Sequence, residues 1–201
     1  MITSLAQIIT GCLIKNKIID NTKLDIYIYG FEIMISNIIC FGIGLLIGTV
    51  FSEFAECIVF LSVFVMLRRY CGGYHAETYL KCDTIFTINI LLVMTILKVI
   101  SFYPIYIHFI IDCISIVSVF MLAPVENKYK PLTEDAKKKH KLWATIISLI
   151  IITISSVLCF INIKFAAVID MALITVALSM IIEFLRKGVY VHNEKRKKSN
   201  S

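Results

Sequence analysis

Apolar runs of bilayer-spanning length dominate this chain. The clearest lie at 84–103, 105–123, 142–161 and 165–185. A helix needs about 20 predominantly apolar residues to cross the roughly 30 Å hydrocarbon layer of a bilayer. Two weaker runs, 33–51 and 54–67, precede them. Gly42, Gly44 and Gly48 interrupt the first, and the second is short unless interfacial residues extend it. The reading is six spans; a four-span version would turn 33–67 into a re-entrant hairpin. Composition agrees, with 59% hydrophobic and 17% charged residues against roughly 45–50% and about 25% in soluble domains. This balance excludes a disordered chain, a secreted disulfide scaffold and an ordinary cytosolic enzyme. The expected fold is an all-α membrane protein, a six-helix transmembrane bundle preceded by an N-terminal amphipathic helix.

That first helix is read from Ile2, Leu5, Ile8, Ile9, Cys12 and Leu13, which recur at spacings of three and four, with Thr3, Gln7, Thr10, Lys15 and Lys17 largely elsewhere. Such a stripe suits a helix lying on a membrane surface or packed beneath the bundle. No basic n-region or small-residue cleavage site marks a signal peptide. The chain divides into an interfacial segment at 1–30, a transmembrane domain at 31–185 and a basic tail at 186–201.

Lysine and arginine orient the bundle, because cytoplasmic loops carry an excess of them. With six spans, segments 1–30, 68–83, 124–141 and 186–201 fall on one side and hold 18 of the 20 basic residues. Only Lys98 and Lys164 fall near the other. Both termini and the two substantial loops, 68–83 and 124–141, are therefore expected in the cytoplasm. The opposite connections are too short for an extracellular ligand-binding domain. The tail Lys195-Arg196-Lys197-Lys198 follows a span and reads as an anchor, so no nucleic-acid partner is expected.

Seven cysteines, mostly inside apolar runs and without a CxxC pair, read as small packing residues rather than a disulfide framework. The exception is the segment from Arg68 to Asp83. It gathers Cys71, Cys82, His75, Glu77, Asp83, Arg68, Arg69 and Lys81 within sixteen positions. A cysteine nucleophile needs a base within hydrogen-bond reach, and neighbouring positive charge favours the thiolate. A cysteine peptidase or acyl transferase would use these groups. Cys71 stands four residues before His75, on one helix face, although Gly72-Gly73 disfavours a regular helix between them. Cys82 stands seven residues after His75, a rise of about 10.5 Å on a straight helix, so that pairing requires a bend. Spacing leaves both pairs open and slightly favours Cys71. Gly72-Gly73 reads either as a tight turn or as a place where a peptide or oxyanion approaches the backbone. A metal site at Cys71, His75 and Cys82 would lack regular spacing and a fourth ligand; no metal or cofactor is assigned.

The pattern Arg68-x-x-x-Gly72-Gly73-x-His75-Ala76, with Cys82 seven residues after the histidine, resembles the signature of the accessory gene regulator protein B (AgrB) family. The stretch Ala123-Pro124-Val125-Glu126-Asn127-Lys128-Tyr129-Lys130-Pro131-Leu132 and the lysines after it resemble that family's second cytoplasmic loop. Length, amphipathic amino terminus and span pattern also fit, so the resemblance covers nearly the whole chain. It implies a bacterial, cell-membrane cysteine endopeptidase that processes an AgrD-type propeptide into a cyclic autoinducing peptide for quorum sensing, with His75 and Cys82 catalytic and Cys71 incidental. It also implies a homodimer. Glu77 and Asp83 are candidates to orient His75, and Gly72 and Gly73 to support an oxyanion. Arg68, Arg69, Lys128, Lys130, Lys137, Lys138 and Lys139 are candidates to bind an acidic region of the propeptide. Topology control and contact with anionic lipid explain the same lysines.

Ionisable residues inside the spans are few. His108 and Asp112 share a face of one span and read as an interhelical polar contact or a proton or export path. Glu56 and Asp170 are expected nearer the outer end, Glu32 and Glu183 nearer the inner interface, and Lys98 can snorkel. The rival function is a small peptide exporter without proteolytic activity, although neither an inverted repeat nor a nucleotide-binding motif is evident.

Overall fold

In the computed structural model, residues 2–16, 18–20, 22, 24–73, 78–99, 104–125 and 133–199 are described, with the side chains of Tyr79 and 187–199 set aside. They form seven helices. These are α1 (Ile2–Lys15), α2 (Leu24–Val50), α3 (Phe54–Cys71), α4 (Tyr79–Val99), α5 (Ile105–Leu122), α6 (Glu134–Ile161) and α7 (Ile163–Ser199). Five stretches are long and apolar enough to cross a membrane: α2, α5, α6 and the segments Leu80–Val99 and Ile163–Arg186. The fold is thus a helical membrane bundle with a short apolar helix at its amino end.

The sixth expected span is α3, and it differs from the others by its charges. Glu56 stands in its first turn, and Arg68 and Arg69 in its last. Between them Cys57, Phe60, Leu61, Phe64 and Leu67 are buried. The apolar run at 54–67 continues as one helix through the two arginines to Cys71. Helix α2 in turn begins at Leu24, well before the apolar run at 33. The tyrosines and Asp25 of its first turns hide that start from a hydropathy reading.

Helix α7 is the hub, packing against α3, α4, α5 and α6. Ala166, Ala167, Val168, Ile169, Ala172, Leu173, Val176, Ala177 and Met180 are all buried along it. In a lipid environment apolar burial alone does not join helices, and small residues that admit close approach do more of that work. The four alanines of α7 fit this rule. Helix α6 buries one stripe, Ala144, Ser148, Ile151, Ser155 and Cys159, while large apolar side chains such as Leu149, Ile150, Val157 and Phe160 stay exposed on its other faces. That outward surface suits lipid. Thr133 caps α6 by accepting from the Ala136 N–H at 3.4 Å, and Glu134 and Asp135 add the negative charge a helix start favours.

Helix α1 packs on α2 through Ala6 and Thr10, which are buried, while Leu5 and Ile8 are exposed. The small residues face protein and the large apolar ones face outward. Of the two sequence options for this helix, packing against the bundle is present, and its outer face stays free for lipid.

The two ends of the bundle are distinct. At one end Lys98 donates to the Phe51 carbonyl at 3.1 Å. There Lys164 pairs with Glu53 and, at 3.2 Å, with Glu56, tying the start of α7 to the α2–α3 turn. The two basic residues that sequence separates from the other 18 thus share one end.

Helices α2 and α3 meet at glycines. A Cβ added to Gly48 would lie 2.6 Å from the Cys57 Cβ, whereas one added to Gly42 meets nothing within 4 Å. The Cys57 thiol donates to the Gly44 carbonyl at 3.1 Å. We expect Gly48→Ala to cost about 1–3 kcal/mol through overpacking. Gly42→Ala should be neutral or stabilising by up to about 1 kcal/mol. Thermal unfolding of the purified protein in detergent checks the contrast, and equal effects of the two substitutions would contradict this packing.

Candidate active site

The end of the bundle opposite Lys98 and Lys164 holds the segment that sequence singles out. Helix α3 closes there on two glycines in the left-handed half of backbone space, Gly72 at φ +73° and Gly73 at φ +126°. L-residues with side chains rarely adopt such values. The Gly72 N–H donates to the Arg68 carbonyl at 3.0 Å, and Val125, just beyond α5, donates its N–H to the Cys71 carbonyl at 2.9 Å. Gly72 and Val125 form an isolated parallel bridge. The glycines thus bring the end of α3 against the segment after α5, where the Ala123–Pro124 peptide bond is cis.

Close approach is as important here as backbone angle. A Cβ on Gly72 would fall 2.2 Å from the Val125 carbonyl oxygen. One on Gly73 would fall 2.5 Å from Ser179 Oγ of α7 and 3.2 Å from Arg68 Nη1. Arg68 is therefore folded back under Gly73 rather than extended outward. Its guanidinium lies 5.6 Å from the Phe64 ring centroid and within electrostatic reach of Cys82 and Glu183. Glu183 is buried near the end of the apolar part of α7, with Arg186 at 3.9 Å.

Cys82 lies in the first turn of α4. Its N–H donates to the Thr78 carbonyl at 3.1 Å, and Thr78 Oγ1 accepts from the Lys81 N–H at 3.3 Å, a side-chain cap of the kind that starts helices. The thiol is half-buried, whereas Cys71 is buried as part of the apolar core. The next residue, Asp83, is held by α2. Its Oδ1 accepts from Ser36 Oγ at 2.7 Å and from Cys40 Sγ at 3.1 Å. Cys40 is also within electrostatic reach of Cys82. A cluster of Cys82, Arg68, Asp83, Cys40 and Glu183 thus joins α2, α3, α4 and α7.

His75, Glu77, Lys128 and Lys130 lie outside the described residues. Arg69 is exposed, with its guanidinium 5.8 Å from the Tyr70 ring. Lys138 and Lys139 are exposed at the start of α6, and Lys137 pairs with Glu134 at 2.8 Å. The Gly72 N–H donates to the Arg68 carbonyl and closes α3. Asp83 Oδ1 is engaged by α2, which limits what it can offer to His75.

Sequence reading did not connect Ser36, Cys40, Ser179 or Glu183 with this site. Ser36 and Cys40 do stand four apart on α2, so one helix face presents both. Nothing local pairs them with Asp83, which lies 47 and 43 positions away.

The fold and this cluster define a class, a helical membrane protein with a half-buried thiol within electrostatic reach of an arginine at one end of the bundle. The family model described as Accessory gene regulator B matches residues 6–183, and the chain belongs to that family. It is 30% identical to AgrB-like protein 2 of Clostridium perfringens (strain 13 / Type A) over 147 residues, 70% of this chain and 68% of the relative. It has the same identity and coverage with an AgrB-like protein of Clostridium perfringens (strain SM101 / Type A). With AgrB-like protein 1 of strain 13 it is 30% identical over 102 residues, 49% of this chain and 52% of the relative. No solved structure matches the chain. Membership places the protein in accessory gene regulator processing and associates it with a propeptide of the AgrD type.

The two glycines should respond differently to substitution. Gly72→Ala meets backbone and should destabilise by about 1–3 kcal/mol, beyond rescue by side-chain trimming. Gly73→Ala meets Ser179, so Ser179→Gly should recover part of its loss. Thermal unfolding of the single and double variants in detergent checks this. An unperturbed Gly72→Ala protein would contradict the close approach to Val125.

Proposed function

We propose that this protein is a membrane-embedded cysteine endopeptidase that cleaves an AgrD-type propeptide and promotes cyclisation of the product. The observation that carries the reading is the Cys82 thiol, half-buried in the first turn of α4 and within electrostatic reach of the Arg68 guanidinium. Family membership and the spacing of His75 before Cys82 support it. Cys71, the other thiol of the segment, is packed in the core and poorly placed to meet a peptide.

In this reading the Cys82 sulfur attacks a carbonyl carbon of the propeptide as His75 takes the thiol proton. The C–N bond breaks, the proton passes to the leaving amine, and the carboxyl-terminal fragment departs. The remaining peptide stays on Cys82 as a thioester. A cysteine thiol or serine hydroxyl within that peptide then attacks the same carbonyl carbon. Its proton returns to the Cys82 sulfur, leaving a thiolactone or lactone. Exchange of a thioester for a thiolactone conserves the bond type, so the second step needs no external activation. The first step runs from a stable amide to a thioester, so exclusion of water and removal of products favour it. Arg68 offers a fixed positive charge within electrostatic reach of the sulfur, which favours its thiolate.

The distribution of basic residues supports a cytoplasmic position for this end of the bundle and for both termini. The exposed Lys138 and Lys139 at the start of α6 would then meet a propeptide on the side where it is made.

Cys82→Ala should abolish propeptide cleavage by the purified protein in detergent. Cys71→Ala should retain most of it, within about tenfold of the native rate. Mass spectrometry of the peptide products reads both outcomes. Cleavage that survives Cys82→Ala and disappears in Cys71→Ala would reverse the assignment. A native protein that never cleaves would favour the exporter reading.

A further inference from the structure

A second polar cluster lies at the other end of the bundle, away from Cys82. His108 and Asp112 stand in the first two turns of α5, Asp170 in the second turn of α7, and Ser155 and Ser156 in the penultimate turns of α6. His108 and Asp170 are fully buried, and Asp112 is 5% exposed. His108 Nδ1 lies 2.7 Å from Asp170 Oδ2, and Nε2 lies 3.2 Å from Asp112 Oδ2. Ser155 Oγ donates to Asp170 Oδ1 at 3.1 Å, and Ser156 Oγ to Asp112 Oδ2 at 3.5 Å. Cys159 of α6 is within electrostatic reach of both aspartates.

Half of this arrangement is complete and half is open. An ionised Asp170 only accepts hydrogen bonds, so the 2.7 Å contact places a proton on Nδ1, and in the neutral tautomer Nε2 then keeps its lone pair. Nε2 makes no aligned hydrogen bond among the described residues despite its nearness to Asp112, and neither does Asp112 Oδ1. Ser115 Oγ, one turn further along the same face of α5, is buried and in the same condition. Buried polar atoms are normally paired. Here a lone pair, a carboxylate oxygen and a hydroxyl stand open on one helix face.

We propose that His108 Nε2 and Asp112 ligate a divalent first-row transition cation, with Asp170 orienting His108 through its Nδ1–H and the unpartnered Ser115 hydroxyl on the same helix face. A metal-bound histidine commonly donates its other ring N–H to a carboxylate, which fixes the ring. Ligands at about 2.0–2.1 Å around a tetrahedral zinc stand roughly 3.3 Å apart, close to the 3.2 Å between Nε2 and Asp112 Oδ2. One ligand atom from each of His108, Asp112 and Asp170 can be chosen so that all lie within 4.8 Å of one another. An imidazole nitrogen among carboxylate and hydroxyl oxygens suits zinc, manganese or iron better than an alkali ion. A dication would balance the two carboxylates and pin α5 against α6 and α7. The site is independent of Cys82 and of the peptidase reading.

The test is metal uptake by the full-length protein in detergent, stripped with chelator, incubated with zinc or with manganese, and desalted. We expect one ion per chain in the native protein and in Cys82→Ala. We expect less than a tenth of an ion in Asp112→Asn and binding weakened about 10–100-fold in Asp170→Asn. A native protein that retains neither metal, or an Asp112→Asn protein that retains as much as the native, overturns the proposal. X-ray absorption of the loaded native protein decides the matter even if the variants do not fold. Imidazole and oxygen around the ion support the site, and sulfur in the shell overturns it.

Discussion

The closure of α3 on Gly72 and Gly73 is the constraint on which the rest of the site depends. Neither position admits a Cβ, because the Val125 carbonyl occupies one space and Ser179 with Arg68 the other. That contact holds three parts of the chain together, the end of α3, the segment after α5 and the face of α7. It also turns Arg68 inward. An arginine at a helix end would ordinarily extend its guanidinium to the interface. Folded under Gly73, it sits instead within electrostatic reach of Cys82 and Glu183. The two glycines therefore carry electrostatic as well as conformational consequences.

The bundle separates two kinds of polar chemistry along its length. One end gathers thiols, Arg68, Asp83 and Glu183 around the start of α4. The other gathers His108, Asp112 and Asp170, and beside the α2–α3 turn the pairing of Lys164 with Glu53 and Glu56. Helix α7 links the two, supplying Asp170 to one and Ser179 and Glu183 to the other. Its buried alanines let four helices approach it, so substitutions along its core face should be felt at both ends.

Much of this was legible in the sequence because a bilayer imposes length and polarity on each helix. The runs at 105–123 and 165–185 correspond to α5 and the apolar part of α7 with small shifts, and the run at 142–161 to α6, whose polar first turns begin earlier, at Glu134. The isolation of Lys98 and Lys164 also has its counterpart in the shared end of the bundle. Other features were hidden for definite reasons. Polar residues in the first turns of α2 mask its start at Leu24, and Arg68-Arg69 mask the end of α3. The hydropathy of the runs gives no sign that α7 is central. The pairing of His108 with Asp112 follows from a spacing of four, but its contact with Asp170 spans 62 positions and has no local signature. The same is true of Asp83 with Ser36 and Cys40. The Cys71–Cys82 ambiguity, open on spacing, is narrowed by packing, since Cys71 is a core residue and Cys82 is not.

The account stands most directly on the covalent state of one sulfur. The native protein would be mixed with its propeptide, quenched in mild acid within the first turnover, digested and analysed by mass spectrometry. The prediction is that the peptide containing Cys82 gains the mass of the amino-terminal propeptide fragment less one water, and that hydroxylamine removes it. Turnover with Cys82 unmodified throughout, or an adduct on Cys71 in its place, would contradict the account.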